Sequence, residues 1–164
     1  MNLKNLSVEC YADASHGNLK GGGSQGGMYI EVKSGNYSCP VIWQSKRLRR
    51  AAKSTLAAET IAMVESMENG IYIRFLLNEM LSNSTADIPV NCYTDNYSLF
   101  QTAYSTTSIS DKRLRIELAI LRETLSREDA ILTWVRSEDQ LADCLTKKGC
   151  DDQRLIARIT QGTV

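Results

Sequence analysis

Histidine is almost absent from this chain, since His16 is the only one among 164 residues. A Ser/His/Asp triad would have to use it, and the sequence has no nucleophile elbow in which a serine could be activated. The glycine-rich run at 17–27 lacks the Lys-Ser/Thr ending of a phosphate-binding loop, and it precedes a predicted strand rather than a helix. Triad hydrolases and P-loop nucleotide enzymes are therefore disfavoured.

Long apolar runs and an excess of one charge are also missing. No apolar run approaches the roughly 20 residues that a membrane-spanning helix needs, and the N-terminal residues lack the apolar centre of a signal peptide. We therefore expect an intracellular protein with no membrane partner. Nineteen basic residues balance 19 acidic ones, which permits a nucleic-acid partner if the basic residues cluster.

Cysteine is present but follows no pattern. The five cysteines are odd in number, scattered and without the spacing of a zinc site. Since most lie in apolar segments, we expect reduced thiols. With 43% hydrophobic and 23% charged residues, the composition predicts a single globular domain over residues 1–164, with a core at about 7–150 and a closing helix at about 151–162.

The periodicity of apolar residues predicts an alternation of strands and helices. In chain order these are strands at about 8–15, 25–32 and 37–44, a helix at 54–81, a strand at 88–94, helices at 97–103 and 110–127, a strand at 130–135 and a helical segment at 141–147. A short turn joins the second strand to the third, so the first three strands should form an antiparallel meander.

The first strand carries an acid where it is predicted to end. Asp13 lies on the same side of the strand as Tyr11, and an ionised carboxylate there is costly unless a cation lies against it. In the second strand, Gly26 and Gly27 indicate the close approach of another backbone or of a ligand. A loose hairpin connection is an equal alternative.

The helix at 54–81 carries one acid on its apolar side. Ser54 or Thr55 can cap its N-terminus. On a helical wheel Glu59 shares a side with apolar residues such as Met63, whereas the other acids of this helix point away. The alternative is a solvated charge near the helix start, where it would favour the dipole.

Two further acids occupy different local settings. Asp95 follows the strand at 88–94 in a Tyr-Thr-Asp sequence that repeats the Tyr-Ala-Asp ending at Asp13. If the two strands are neighbours that end together, their carboxylates lie side by side; otherwise Asp95 caps the next helix. Asp143 lies opposite Leu141 and Leu145 on a helical wheel, as an ordinary solvated residue would, so periodicity does not single it out.

Five short motifs occur in the order and spacing of a known family. They are Tyr-Ala-Asp-Ala-Ser at 11–15, Trp-Gln-Ser-Lys at 43–46, Lys-Ser-Thr-Leu-Ala-Ala-Glu at 53–59, Tyr-Thr-Asp-Asn at 93–96 and Gln-Leu-Ala-Asp-Cys-Leu-Thr-Lys at 140–147. Together they make the chain resemble the ribonuclease H domain at the C-terminal end of copia-type retrotransposon polyproteins. The resemblance implies an α/β, ribonuclease H-like fold: a mixed five-stranded sheet, its first three strands antiparallel, with helices on both faces.

The resemblance also implies an activity and a metal site. The family cleaves the RNA strand of RNA/DNA hybrids during reverse transcription, and its four catalytic acids fall on Asp13, Glu59, Asp95 and Asp143. These acids would hold two Mg²⁺ ions, for which Mn²⁺ can substitute, because hard cations prefer carboxylate oxygens. Asp13 would bridge the ions, with Glu59 and Asp95 on one and Asp143 on the other.

The implied partner is an RNA/DNA hybrid that is recognised by shape. The predicted contacts lie beside the acids and in a basic run before the long helix: Ser15, His16, Asn18, Lys46, Arg47, Arg49, Arg50, Lys53, Ser54, Thr55 and Asn96. A solubilising charged turn is the alternative for the basic run. The glycine run would be a hinge that lets the hybrid backbone approach. The reverse transcriptase domain of the same polyprotein is a further expected partner, in a cytoplasmic retroelement particle or in the nucleus.

One departure from related ribonucleases H concerns proton transfer. Many cellular and retroviral members place a mobile histidine shortly before the last acid, whereas residues 133–140 contain none. Water, Arg136 or Glu138 would have to serve instead. Two other functional classes stay open: a domesticated or inactive copy that binds nucleic acid or protein without cutting, and a ribonuclease H-fold nuclease that cuts DNA.

Overall fold

The computed structural model describes residues 5–81 and 88–162, which form a sheet with helices on both faces. The elements are β1 (Leu6–Leu19), β2 (Gly23–Ser34), β3 (Tyr37–Arg47), α1 (Thr55–Met80), β4 (Val90–Thr94), α2 (Tyr97–Tyr104), α3 (Lys112–Ser126), β5 (Ile131–Trp134) and α4 (Gln153–Gln161). Single 3₁₀ turns lie at Ser137–Asp139 and Asp143–Leu145.

The sheet has the predicted mixed topology. Its strand order is β3-β2-β1-β4-β5, and β1 pairs antiparallel with β2 and parallel with β4. The antiparallel meander of the first three strands and the five-stranded mixed sheet are therefore confirmed. The order places β1 at the centre, between the meander and the parallel half.

The first strand is longer than predicted. Its pairing with β2 continues past Asp13 and, after a register shift beyond Ser15, reaches Leu19 opposite Gly23; the turn that follows uses Gly21 and Gly22 at φ +81° and +75°. The prediction that β1 ends at Asp13 is therefore wrong. The pairing of β1 with β4, in contrast, reaches only Tyr11 opposite Tyr93, so Asp13 lies where the β4 side of the strand becomes open.

Helix α1 packs across one face of the sheet, and its backbone comes very close to the strands at Gly70. Ser54 caps its N-terminus by accepting a hydrogen bond from the backbone N–H of Ala57 at 3.2 Å. Met63 and Met67 are fully buried against the sheet, and burial of side chains of this size contributes about 1.5–3 kcal/mol each. Gly70 lies so near the sheet that a Cβ atom there would be 2.4 Å from the sulfur of Cys10.

Helix α4 covers the opposite face. Leu155 packs against Tyr29 and Leu141, and the Arg158 guanidinium donates a hydrogen bond of 2.7 Å to Glu31. The Glu31 carboxylate is fully buried and also accepts from the Tyr29 hydroxyl at 2.7 Å. A buried acid on this face is thus neutralised by the chain itself. Within the described ranges, no helix is long and apolar enough to cross a membrane.

The close packing at Gly70 generates a stability prediction. Gly-to-Ala changes inside helices ordinarily stabilise by about 0.5–1 kcal/mol. At Gly70 the added methyl group would meet Cys10 and Val90 at 2.4 and 3.0 Å, so we expect Gly70→Ala to lower the free energy of unfolding by about 1–3 kcal/mol. Urea denaturation measures the change.

Gly23→Ala in β2 is the matched control, because its added methyl group would meet only the flexible end of the Arg47 side chain. A Gly70→Ala protein at least as stable as the unsubstituted chain would contradict the packing described for α1.

Candidate active site

Three acids from distant parts of the chain converge at one edge of the sheet. One carboxylate oxygen each of Asp13, Asp95 and Asp143 lies within 4.8 Å of the other two. Asp13 belongs to β1, Asp95 directly follows β4, and Asp143 begins a 3₁₀ turn. Asp13 is only 2% exposed, whereas the other two are partly exposed.

The pairing of β1 with β4 explains how the first two acids meet. Tyr11 and Tyr93 form the last residue pair of this parallel ladder, and their rings stack at 4.7 Å. Asp13 and Asp95 each lie two residues further on, and side chains two apart on a strand share a face. The Tyr-x-Asp repeat in the sequence therefore corresponds to two neighbouring strands in register.

Asp95 belongs to the acid cluster and does not cap a helix. The Ser137 hydroxyl donates to its carboxylate at 2.7 Å, and the Trp134 indole N–H donates to its backbone carbonyl at 3.0 Å. The cap of α2 is Asn96, whose side-chain oxygen accepts from the backbone N–H of Leu99 at 3.0 Å. The capping alternative for Asp95 is therefore wrong.

Glu59 lies on the buried side of α1, as the helical wheel predicts. It is 5% exposed, and the nearby backbone N–H of Ala14 lowers its pKa slightly against the larger effect of burial. It does not belong to the group of acids whose oxygens lie within 4.8 Å of one another, yet it feels the charges of Asp13 and Asp95. The alternative of a solvated charge at this position is wrong.

The two buried acids have strongly raised pKa values. Burial is the main cause and raises the pKa of Asp13 to about 6, with the charges of Asp95 and Asp143 adding to the effect. Burial, and then repulsion by Asp13 and Asp95, raises the pKa of Glu59 to about 9. A divalent cation would reverse both effects, because it favours the ionised carboxylates.

The segment that carries Asp143 is not the predicted helix. It forms a single 3₁₀ turn, so the helical wheel on which Asp143 looked solvated does not apply. The Thr146 hydroxyl donates to the carboxylate of Asp13, and Lys147 forms an ion pair with Asp143. The Thr146 hydrogen bond and the positive charge of Lys147 both lower the pKa of Asp13, and these two residues join the fourth acid to the first.

Gly27 makes room for this segment. It pairs with Asp13 across the β1–β2 ladder, and a Cβ atom there would lie 2.8 Å from Leu145 Cβ and 3.1 Å from the backbone carbonyl oxygen of Ala142. Close approach of another backbone is thus the correct interpretation of this glycine, and the loose hairpin connection is wrong. The space at Gly27 is filled by the chain itself, so this glycine does not make room for an incoming nucleic acid.

Several of the predicted basic contacts are engaged in ion pairs. Lys46 pairs with Glu65 on α1, and Arg50 pairs with the buried Glu117 on α3. Lys53 pairs at 3.6 Å with Asp111, which caps α3. Arg47 and Arg49 are exposed and form no ion pair among residues 5–81 and 88–162. The charged run therefore serves partly to attach the loop before α1 to the helices.

Four of the six uncharged candidates also have hydrogen-bonding partners within the chain. Asn18 donates to Gln25 at 3.2 Å, and the His16 ring nitrogen Nε2 lies 3.2 Å from the carbonyl oxygen of Ala52. Ser54 and Asn96 cap helices, as described above. Ser15 is partly buried and Thr55 exposed. The His16 contact brings the loop before α1 next to the end of β1, a few residues beyond Asp13.

Two candidates for the role of the missing histidine are bound to each other. Arg136 pairs with Glu138 at 2.6 Å and with Asp139 at 3.3 Å. These pairs lie outside the acid cluster. Sequence reasoning missed other residues that do touch it: Ser137, Thr146 and Lys147. Thr146 and Lys147 belong to the motif at 140–147. Their position three and four residues after Asp143 was the signal in the sequence that could have identified them.

Comparisons with solved structures identify the fold. The chain is similar to LC11-RNase H1 in complex with an RNA/DNA hybrid (TM-score 0.59, 16% identity, 85% of this chain and 93% of that one). It is similar to RNase H1 of Halobacterium salinarum NRC-1 (TM-score 0.57, 19% identity, 89% and 98% covered). It also matches the foamy viral protease-reverse transcriptase in complex with an RNA/DNA hybrid (TM-score 0.63, 14% identity, 91% and 20% covered).

These similarities define the class of the protein as ribonuclease H-like in fold. At identities below 20%, they establish the architecture and not the activity. No protein-family model matches the chain. The acid cluster described above lies on this fold, and its oxygen donors suit a divalent cation.

The raised pKa values predict how stability depends on pH without metal. Folding raises the pKa of Asp13 from 3.8 to about 6 and the pKa of Glu59 from 4.5 to about 9. At pH values between the ordinary and the raised pKa of each residue, the folded protein binds more protons than the unfolded chain. Stability is therefore present at low pH and is lost as pH rises through this window. In EDTA, the Tm should fall between about pH 5 and about pH 9.

Glu59→Gln should make the Tm less dependent on pH in the upper half of this range. At about pH 8 it should raise the Tm, by about 2–4 °C for each kcal/mol gained in the free energy of unfolding. The control is Glu68→Gln, which removes an exposed acid from the same helix. A Glu59→Gln protein whose Tm falls with pH as steeply as the unsubstituted chain would refute this assignment.

Proposed function

We propose that this protein is a metal-dependent endoribonuclease that cleaves the RNA strand of RNA/DNA hybrids. The observation that carries the proposal is the convergence of Asp13, Asp95 and Asp143 within 4.8 Å on a ribonuclease H-like sheet, with Glu59 buried beside them. Two of the structural relatives were solved in complex with an RNA/DNA hybrid, which supports the substrate class. The five motifs support an origin in a copia-type retroelement and a role in reverse transcription.

The four acids fit two Mg²⁺ ions in chemistry, since each offers the hard oxygen atoms that Mg²⁺ prefers. When bound, such ions supply an activated water and stabilise the leaving 3′ oxygen of a phosphodiester. The residues of the chain prepare the site. Thr146 orients the buried carboxylate of Asp13, Ser137 orients that of Asp95, and Lys147 places a positive charge against Asp143.

Recognition of the hybrid would rest on shape and on phosphate contacts. Arg47 and Arg49 are the exposed basic residues of the run before α1 that have no ion pair in the described parts of the chain. A polymerase domain of the same polyprotein would add further contacts, in a cytoplasmic retroelement particle or in the nucleus; the foamy viral relative carries a reverse transcriptase in one chain.

The direct test is a cleavage assay on RNA/DNA hybrid, duplex RNA and duplex DNA with Mg²⁺, Mn²⁺ or EDTA. We expect cleavage of the hybrid alone, dependent on metal. Asp13→Asn or Asp95→Asn should reduce the rate by about 100-fold or more, because a metal contributes several kcal/mol to the transition state.

Glu68→Gln, which removes an exposed acid of α1, is the control and should retain the rate. Cleavage of duplex DNA would indicate an integrase-like or resolvase-like nuclease instead. Metal and hybrid binding without any cleavage would indicate an inactive binding module. Full activity of Asp95→Asn would exclude the proposed role of that acid.

The exposed arginines generate a separate binding prediction. Arg47→Ala combined with Arg49→Ala should weaken hybrid binding and reduce the slope of log K against log salt by about 1–2, because each lost phosphate contact contributes about 0.9. Fluorescence anisotropy at several salt concentrations measures the slope. Arg127→Ala, at the C-terminal end of α3, should leave it unchanged; an equal slope in the double variant would place the nucleic acid elsewhere.

A further inference from the structure

A buried glutamine joins the two strands that present the first and third acids. Gln140 is 5% exposed, and its side-chain amide nitrogen donates to the carbonyl oxygens of Ala12 and Tyr93, both at 3.1 Å. Its side-chain oxygen accepts from the backbone N–H of Ala142 at 3.2 Å. The amide thus spans β1 and β4 immediately before Asp13 and Asp95.

The position of this amide matters because the backbone ladder ends there. The last β1–β4 pair is Tyr11 with Tyr93, and beyond it the Gln140 side chain supplies the next donors. A buried carbonyl left without a donor destabilises the fold. The hydrogen bonds of Gln140 therefore set the spacing of the two strands at the level of the acids.

A second glutamine holds the other end of the same segment. The side-chain amide nitrogen of Gln25, on β2, donates to the carbonyl oxygen of Leu145 at 3.0 Å and to the Ser45 hydroxyl oxygen at 2.6 Å. The Gln25 side-chain oxygen accepts from Asn18 at 3.2 Å. Residues 140–145, with Asp143 near their middle, are thus fixed to the sheet at both ends.

We propose that Gln140 and Gln25 are positioning residues for the metal-binding acids. By holding the ends of the segment 140–145, they keep the oxygen of Asp143 within 4.8 Å of those of Asp13 and Asp95. Neutral amides suit this place. A lysine or arginine would compete with the metal for the acids, and a glutamate would add repulsion and could not donate to the two carbonyls.

This inference depends on one part of the proposed function, namely that the acid cluster binds a divalent metal. It is tested by calorimetric titration of the whole chain with Mn²⁺, together with the Tm in EDTA. Gln140→Glu and Gln140→Met remove the donors to Ala12 and Tyr93. Gln25→Met removes one of the two donors to the Leu145 carbonyl, the other being the Ser45 hydroxyl. We expect each to weaken Mn²⁺ binding about 10–100-fold, as for other groups that orient metal ligands.

Gln25→Met should do so with little change of the Tm in EDTA, since Gln25 is only partly buried. It therefore keeps the test open if the Gln140 variants fail to fold. Gln101→Met, an exposed residue on α2, is the matched control and should bind Mn²⁺ as the unsubstituted chain does. The metal concentration for half-maximal cleavage should rise in the Gln25 variant, with the rate recovering at saturating metal.

The outcomes separate this inference from the proposed function. Folded variants with unchanged Mn²⁺ affinity would overturn it, whether or not the enzyme cleaves hybrid, and so would an unsubstituted chain that binds no Mn²⁺. If the unsubstituted chain binds Mn²⁺ and the variants bind it more weakly, the inference holds even when no hybrid is cleaved.

Discussion

The constraint that the rest of the structure has to accommodate is the repulsion between carboxylates gathered at one edge of the sheet. Asp13 and Glu59 are both buried, and burial together with the neighbouring acids raises their pKa values to about 6 and about 9. A fold gains nothing in stability from such an arrangement. The repulsion is tolerated because packing elsewhere in the fold fixes the positions of these side chains, and because a bound cation can relieve it.

Two buried acids on the same face of the sheet have opposite surroundings. Glu31 is fully buried and is neutralised by Arg158 and by the Tyr29 hydroxyl. Asp13 is almost as deeply buried, yet its direct partner is the neutral hydroxyl of Thr146. The first arrangement attaches α4 to the sheet and leaves no capacity for a ligand. The second leaves a carboxylate in need of positive charge, which is a property of a site and not of a core.

Much of the architecture was predictable because it follows from local periodicity. Alternating apolar residues located the strands, and the helical wheel placed Glu59 inside, because one acid among apolar neighbours departs from the pattern of a surface helix. The Tyr-x-Asp repeat pointed to neighbouring strands for a similar reason, since period-two alternation places the two acids on the same face. The bounds were less exact: β1 extends to Leu19 because β2 continues to pair with it, and pairing is a tertiary property.

Asp143 shows where local reasoning ends. Its own neighbourhood looks like a solvated helix, and only the family resemblance suggested it as a site residue. In the structure the segment is a 3₁₀ turn held on the sheet by Gln140 and Gln25 and accommodated by Gly27, more than a hundred residues away along the chain. Likewise, the charges of Lys46, Arg50 and Lys53 were evident from the sequence, whereas their pairing with Glu65, Glu117 and Asp111 was not.

Periodicity records which side of an element is buried, and that is a local property. Which distant groups share a site depends on how the elements pack, because hydrogen bonds and ion pairs form wherever the folded chain brings donors and acceptors together.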